Sequence, residues 1–380
     1  MKVLFITDEC FNKSGGGTYT RALIQVFYGI MGQDDFYVYF PYLVVKDNDT
    51  DIPNLIVEEC EKPNKMIKLF NMLIGKPGNF NRRSRTRILK LIKEKSIDTV
   101  VLSRSFYGGL CKDIKRKNED ITIITFFHDI IDEVIKENRK RESGIAFFMN
   151  YPKLRIHQKN EHLALALADK KIVLNERDYK LFVDNYNKVP DAVIPIFTKD
   201  RFCYDLLEKS NGEDYILLFV GSYYWPNIAG IKWFIQNVMN YIEDGYVLYV
   251  VGRDLEKIKH DLVSERENVK IIGTVDNLDE WYYKADLVVG PIFEGSGMKT
   301  KTAEALMYGK IYLGTDEALC GFVEINDYCC NTADEFLTKI YKFTKSNCQR
   351  LKYSEYSRHV YEKNYSEKVM AQRIESVVRE

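Results

Sequence analysis

Short apolar runs alternate with amphipathic stretches along most of the chain. In the first half the runs 2–7, 36–40, 99–102, 122–127, 171–174 and 192–195 have strand length and are rich in β-branched and aromatic residues. Between them, 19–28, 85–94 and 159–168 place apolar residues at helical spacing. Strands separated by helices at this distance predict a parallel, doubly wound α/β sheet. A second series starts after Thr198, with strands at 216–221, 247–251, 269–272, 287–289 and 311–313 and a helix at 228–241. The polar segment 197–214 has no clear period and reads as a linker. The pattern therefore predicts two Rossmann-like domains, 1–198 and 199–363, with a helical C-terminal stretch (354–380) whose last part, about 364–380, completes the first domain. No internal repeat of about 20–50 residues interrupts this reading.

Length and composition agree with more than one domain. The 380 residues are 46% apolar, enough for substantial cores, and a formal net charge of zero excludes a general nucleic-acid binder. Eight cysteines without a CxxC pair read as reduced, mostly buried thiols, and the adjacent Cys329 and Cys330 have no nearby histidine to suggest metal. The first apolar run is too short for a signal peptide and none reaches about 18 residues, so the expectation is a cytoplasmic protein without a membrane span.

Two charged segments bear on partners. Eleven basic residues lie between Lys62 and Lys95 against one acid, Glu94, interleaved with Met66, Ile67, Leu69, Phe70, Met72, Leu73 and Ile74. Such a stretch suits either an anionic bilayer or the solvated face of a helix pair. Asp47-Asn48-Asp49-Thr50-Asp51 contains two overlapping D-x-D patterns, as used by metal-dependent sugar transferases, but no strand directly precedes it. It reads as a solvated turn, and no metal site is expected.

The densest chemistry lies at 295–309, after the apolar run 285–293. The order is strand, glycine turn, helix. Gly295 and Gly297 admit close approach to backbone, and the helix start offers unpaired N–H groups and partial positive charge. Lys299 and Lys301 add mobile cations, and Ser296, Lys301 and Glu304 fall near one helical face. The arrangement suits a phosphate followed by a sugar diol, although Lys301 and Glu304 also have the spacing of a simple i,i+3 ion pair. Other candidates stand at strand ends. They are the glycines 15–17, which make either a ligand-approach site or a flexible turn; His128-Asp129, a sugar contact or a satisfied core histidine; and Gly221-Ser222. Tyr223, Tyr224 and Trp225 read as packing rather than base contacts, and Arg253 as a diphosphate or base contact or a surface ion pair. The glycine pattern is not GxGxxG, which weakens a dinucleotide reading.

These residues resemble a known family. The stretch 295–309, with Ala285-Asp286 before it, looks like the nucleotide-sugar site of GT-B glycosyltransferases, in particular retaining glycosyltransferase family 4 (glycosyl transferases group 1). Phe219-Val220-Gly221-Ser222 with Pro226-Asn227, the glycines 15–17 and His128-Asp129 are similar to that family's other landmarks in the same order. The resemblance covers nearly the whole chain and is stronger in the second half. It implies a GT-B fold, two Rossmann-like doubly wound domains facing across a cleft. It also implies that Glu304, as the second glutamate of an E-x7-E motif, binds the donor's ribose hydroxyls, with Lys301 by the diphosphate and Gly297 by the donor sugar. His128 matches the histidine near the reacting centre, and Gly16 and Gly17 lie under diphosphate and acceptor. One departure stands out. Ser296 occupies the position of the first motif glutamate, and Glu294 is ten residues from Glu304, so the chain has the Gly-Ser-Gly-x-Lys-x-Lys variant of the motif.

The resemblance thus implies a hexosyltransferase-type glycosyltransferase acting on a glycan or polyprenyl-linked acceptor in surface polysaccharide or glycoconjugate biosynthesis, retaining and metal-independent. A nucleoside diphosphate sugar is its donor substrate and no cofactor is expected. The expected catalytic residues are His128 and Lys301. The expected donor-binding set is Gly16, Gly17, Gly221, Ser222, Arg253, Ser296, Gly297, Met298, Lys299, Lys301, Thr302 and Glu304. The basic segment 62–95 would place the protein at the inner face of the membrane. The alternatives are a GT-B sugar-nucleotide epimerase and a non-catalytic GT-B subunit that binds glycan or a partner transferase.

Overall fold

The computed structural model describes residues 1–9, 15–41, 52, 54–57, 82–141, 145–204, 214–261 and 267–379. The D-x-D patterns at 47–51 and residues 62–81 of the basic segment lie outside the described residues. The chain divides into two compact units, Met1–Pro195 with Ala371–Glu380, and Ile196–Met370.

Unit 1 holds a parallel sheet of seven strands among the described residues, in the order β3-β2-β1-β4-β5-β6-β7. They are β1 (Val3–Ile6), β2 (Phe36–Phe40), β3 (Leu55–Val57), β4 (Thr99–Leu102), β5 (Thr122–Phe127), β6 (Lys170–Val173) and β7 (Ala192–Val193). The helices are α1 (Gly15–Met31), α2 (Arg82–Glu94), α3 (Gly108–Lys117), α4 (Ile131–Arg141), α5 (Ile145–Leu167) and α6 (Glu176–Tyr186). β1 is buried along its whole length because helices cover both faces. Phe5 meets Phe27 of α1 at 5.6 Å between ring centroids, while Leu4 and Ile6 join Ile88 and Leu91 of α2 and Leu110 of α3 in a second core layer. Two features escaped the hydrophobic pattern. β3 is a three-residue edge strand outside the apolar runs, and α5 carries Pro152 in its interior and begins well before the periodic part of its sequence.

Among its described residues unit 2 holds a five-stranded parallel sheet, β10-β9-β8-β11-β12. Its strands are β8 (Tyr215–Val220), β9 (Tyr246–Val251), β10 (Val269–Gly273), β11 (Leu287–Gly290) and β12 (Ile311–Gly314). Its helices are α7 (Trp225–Phe234), α8 (Asp279–Lys284), α9 (Thr300–Met307), α10 (Ala333–Thr344) and α11 (Asn347–Asn364). Pro226 opens α7, which runs into a π turn at Ile235–Met239, and Thr332 and Glu335 form a capping box at the start of α10. The predicted helix across 354–380 is two helices. α11 stops before Tyr365, Ser366 bridges to Thr198, and α12 (Glu367–Arg379) follows. The final turns of α12 belong to unit 1, where Val377 O accepts from Lys170 Nζ at 2.6 Å.

Among the described residues no helix is long and apolar enough to cross a membrane. Where β8 and β9 end, their following residues touch. A Cβ on Gly252 would lie 1.8 Å from the Gly221 carbonyl oxygen, and Gly252 has φ +134°. Gly252→Ala therefore combines backbone strain with overlap and is expected to cost about 3 kcal/mol or more, read by chemical denaturation. A wild-type midpoint in that variant would show that these strand ends do not pack as described.

Candidate functional site

In unit 2 the strand order reverses between β8 and β11, the position at which open α/β sheets place ligands. Gly221 and Ser222 follow β8, Arg253 follows β9, and the loop 291–299 leads from β11 into α9. Parallel pairing therefore gathers the expected unit 2 residues at one edge of the sheet. α9 starts at Thr300 with no side-chain cap at Lys299, which leaves N–H capacity at its first turn. Gly295 and Gly297 have φ +145° and +63°, conformations in which glycine shapes the approach to that helix.

Lys301 is the central group. Its ammonium donates to Asn227 Oδ1 at 2.7 Å and lies 4.9 Å from the Phe219 ring centroid. Asn227 in turn donates to Ser222 O at 3.0 Å, so α9 and the β8 loop are joined through one amide. Burial, helped by the like charge of Lys299 and opposed by Glu304, lowers the Lys301 pKa to about 7. Glu304 sits one turn further along α9, where Tyr282 OH donates to its Oε2 at 3.3 Å and Arg201 Nη2 stands 3.8 Å from Oε1. Burial raises the Glu304 pKa, opposed first by Arg201. The nearest partners of Lys301 and Glu304 are thus other residues, not each other. The ammonium is held by a neutral amide rather than a carboxylate, so an anion bound beside it would favour its charged form.

Several expectations need correction. Lys299 is no mobile cation, because its Nζ donates to Glu317 Oε1 at 2.6 Å, Gly297 O at 2.8 Å and Ser296 O at 3.2 Å, folding the loop around itself. Ser296 does not share a helical face with Glu304, since it is exposed in the loop four residues before α9 begins. Thr302 and Met298 face inward: the Thr302 hydroxyl donates to Ala318 O at 2.9 Å, and Met298 packs against Gly321. Tyr223, Tyr224 and Trp225 are not packing residues, with 44%, 63% and 57% of their surface exposed. Asp286 lies at the opposite end of β11 from the site, where it pairs with Arg350 and accepts from Ile216 N at 2.8 Å. The Arg253 side chain is exposed.

In unit 1 the strand order reverses between β1 and β4; the expected residues there follow β1 and β5, and Arg104 follows β4. The glycines are not a loose turn, because α1 begins at Gly15. A Cβ on Gly16 would come 2.9 Å from Glu9 Oε2 and 3.3 Å from Arg104 Nη2, so the helix start lies against a Glu9–Arg104 ion pair. Asp8 accepts from Tyr107 OH beside it. His128 packs edge-on to Tyr19 at 5.3 Å between centroids, and its buried Nε2 has no hydrogen-bond partner among the described residues. Burial and then Arg104 lower its pKa to about 3, so the ring is neutral across the physiological range. The ring thus keeps one unpaired nitrogen, which sets it apart from a core histidine bonded at both. Behind it, the buried Glu161 of α5 accepts from Ile131 N at 2.8 Å, from Ser105 and from Tyr186, tying the segments after β4 and β5 to α6. Burial, against those three donors, raises its pKa to about 7.

The comparisons agree with this architecture. Residues 214–345 match the family model described as glycosyl transferases group 1. Over the whole chain the structure is similar to Anabaena HepE in complex with UDP and glucose, at 12% identity and TM-score 0.71, covering 100% of this chain and 99% of that one. It is also similar to a glycosyltransferase from Rickettsia africae (15%, TM-score 0.67, coverage 99% and 97%) and to the apo lipopolysaccharide outer core galactosyltransferase WaaB (12%, TM-score 0.65, coverage 100% and 99%). The fold is that of GT-B glycosyltransferases. Comparison with curated protein sequences yields no match.

Sequence reasoning missed Arg201, Tyr282, Glu9, Arg104 and Glu161. Arg201 is one cation in an aperiodic segment, and Glu9 and Arg104 are too far apart in the chain for any local pattern to join them. The Lys301 geometry has a consequence for stability. The folded protein releases the Lys301 proton near pH 7, whereas the unfolded chain holds it to about 10.5, so stability rises with pH across that window. Lys301→Met should flatten the rise, measured as Tm from about pH 6.5 to 10; the same slope in both proteins would place the ammonium in water.

Proposed function

We propose that the protein is a glycosyltransferase that moves a sugar from a nucleoside diphosphate sugar to a hydroxyl of a glycan or lipid-linked glycan. One observation carries the reading. A partly buried ammonium held by a neutral amide stands at the uncapped start of α9, with a carboxylate one turn beyond it. The first suits a diphosphate and the second a ribose diol. The match of 214–345 to glycosyl transferases group 1 supports it, and the UDP and UDP-glucose complexes of HepE favour uridine as the base.

In this reading the leaving diphosphate is stabilised by Lys301 and the start of α9, so the charge balance asks for no divalent cation. Lys299 acts indirectly, by shaping the loop through Glu317. His128 serves the donor sugar as a neutral imidazole, giving a hydrogen bond rather than acting as a protonated acid. The substitution proceeds on the front face with retention, the leaving phosphate taking the acceptor proton. The pathway is surface polysaccharide or glycoconjugate assembly.

Titration with UDP, GDP, dTDP and ADP tests the donor site. UDP should bind best, and Glu304→Ala should weaken it about tenfold or more through lost charge-assisted hydrogen bonds. Lys301→Ala should weaken UDP but spare uridine, and His128→Ala should spare UDP yet lower transfer. Unchanged UDP binding in a folded Glu304→Ala protein would sink the assignment.

An epimerase is the second reading, favoured by the carboxylates of Asp8 and Asp129 that act on Glu9 in unit 1. A donor sugar isomerised in the absence of acceptor decides for it. The basic segment is proposed to contact anionic lipid. In its described part, Arg82 is exposed and Arg85 pairs with Asp113. The protein should float with anionic but not neutral liposomes, and equal absence from both removes this contact.

A further inference from the structure

Arg201 stands in the segment that the sequence reads as a linker, yet unit 2 holds that segment firmly. Its N–H donates to Met307 Sδ at 3.4 Å and its carbonyl accepts from Tyr283 OH at 3.1 Å. On one side Asp200 accepts from Arg358 Nη1 at 2.9 Å, and on the other the Phe202 ring lies 4.7 Å from the Arg358 guanidinium. With the backbone fixed, the Arg201 guanidinium reaches carboxylates of two helices. Its Nη2 is 3.8 Å from Glu304 Oε1 of α9, and its Nη1 is 3.7 Å from Asp279 Oδ1 of α8. It also stands 5.8 Å from the Tyr308 ring centroid. Neither contact is within hydrogen-bond range, so Arg201 acts on Glu304 as a charge and leaves the lone pairs of Oε1 open.

We propose that Arg201 is a positioning residue that holds the Glu304 carboxylate as a double acceptor for a ribose 2′,3′-diol, so that unit 2 selects ribonucleotides over 2′-deoxyribonucleotides. The inference rests on the donor-site reading above. Among the described residues the charged and titratable groups facing Glu304 are Arg201 from the linker, Tyr282 and Asp279 from α8, Lys301 from its own helix and Tyr308 at that helix's end. Burial pushes the Glu304 proton on. Arg201 is the strongest opposing influence, ahead of Tyr282 and Lys301, while Asp279 adds to burial. An ionised carboxylate accepts from both hydroxyls of a diol. A protonated one must spend an oxygen as donor and fits the diol less well. Removing Arg201 therefore makes diol recognition depend on pH, whereas the protonation of Lys301 bears on the diphosphate and cancels in a ratio of two diphosphates.

The experiment is calorimetric titration of the full chain and its Arg201→Ala and Arg201→Lys variants with UDP and 2′-deoxy-UDP at about pH 6, 7 and 8. The wild-type protein should prefer UDP about tenfold or more at each pH, the value of one charge-assisted hydrogen bond. In Arg201→Ala the preference should shrink to about threefold or less at the lowest pH and recover as pH rises, while Arg201→Lys keeps it. Arg201→Gln carries the same expectation as the alanine variant if that one fails to fold. A wild-type ratio at all three pH values in a folded, UDP-binding Arg201→Ala or Arg201→Gln protein overturns the inference and leaves the donor site standing. A wild-type protein that binds no UDP overturns the donor-site reading, and this inference with it.

Discussion

Parallel pairing is the constraint from which the sites follow. A sheet in which every strand runs the same way brings all the strand carboxyl ends to one edge, and each strand must be followed by a connection that returns to the other edge. In unit 2 this puts the residues after β8, β9 and β11 together although they are up to about seventy positions apart in the chain. In unit 1 the same rule gathers Glu9, Arg104 and His128. The reversal of strand order at β8/β11 and at β1/β4 then determines where at each edge a ligand has room.

The strand ends meet closely because glycine stands where a side chain would collide. Gly252 touches the carbonyl of Gly221, and Gly230 of α7 approaches the Pro291 carbonyl so nearly that a Cβ there would overlap it. Small residues at these points let polar groups be placed by backbone rather than by long side chains. The cost is electrostatic. Packing this tight draws Lys301 and Glu304 largely out of water, as the surroundings of His128 do in unit 1, and that acts against the charged form of each. The three respond differently. Lys301 loses part of its charge, Arg201 works to keep that of Glu304, and His128 is neutral.

Legibility in the sequence followed the range of the interaction. β2, β4 and β5 were readable to the residue because strands covered on both faces are continuous apolar runs. The edge strand β3 was not, since three residues carry no period, and the break at Tyr365–Ser366 in the C-terminal helical stretch is set by a bridge to Thr198. The stretch 295–309 announced its glycines and cations but not what they touch. Lys299 and Lys301 look alike in sequence; one is locked to Glu317 and the other is left with an amide.

By itself the sequence determined the α/β alternation, the two-part organisation and the glycine–lysine–glutamate motif, because each is written in neighbouring residues through periodicity and local backbone freedom. The tertiary structure decided which of those residues can do chemistry. It turned Ser296 out of the helix, buried Thr302 and Met298, exposed Trp225, and brought Arg201 to Glu304 from a segment with no pattern of its own. Charge and burial are properties of surroundings assembled from distant parts of the chain, and no local pattern contains them.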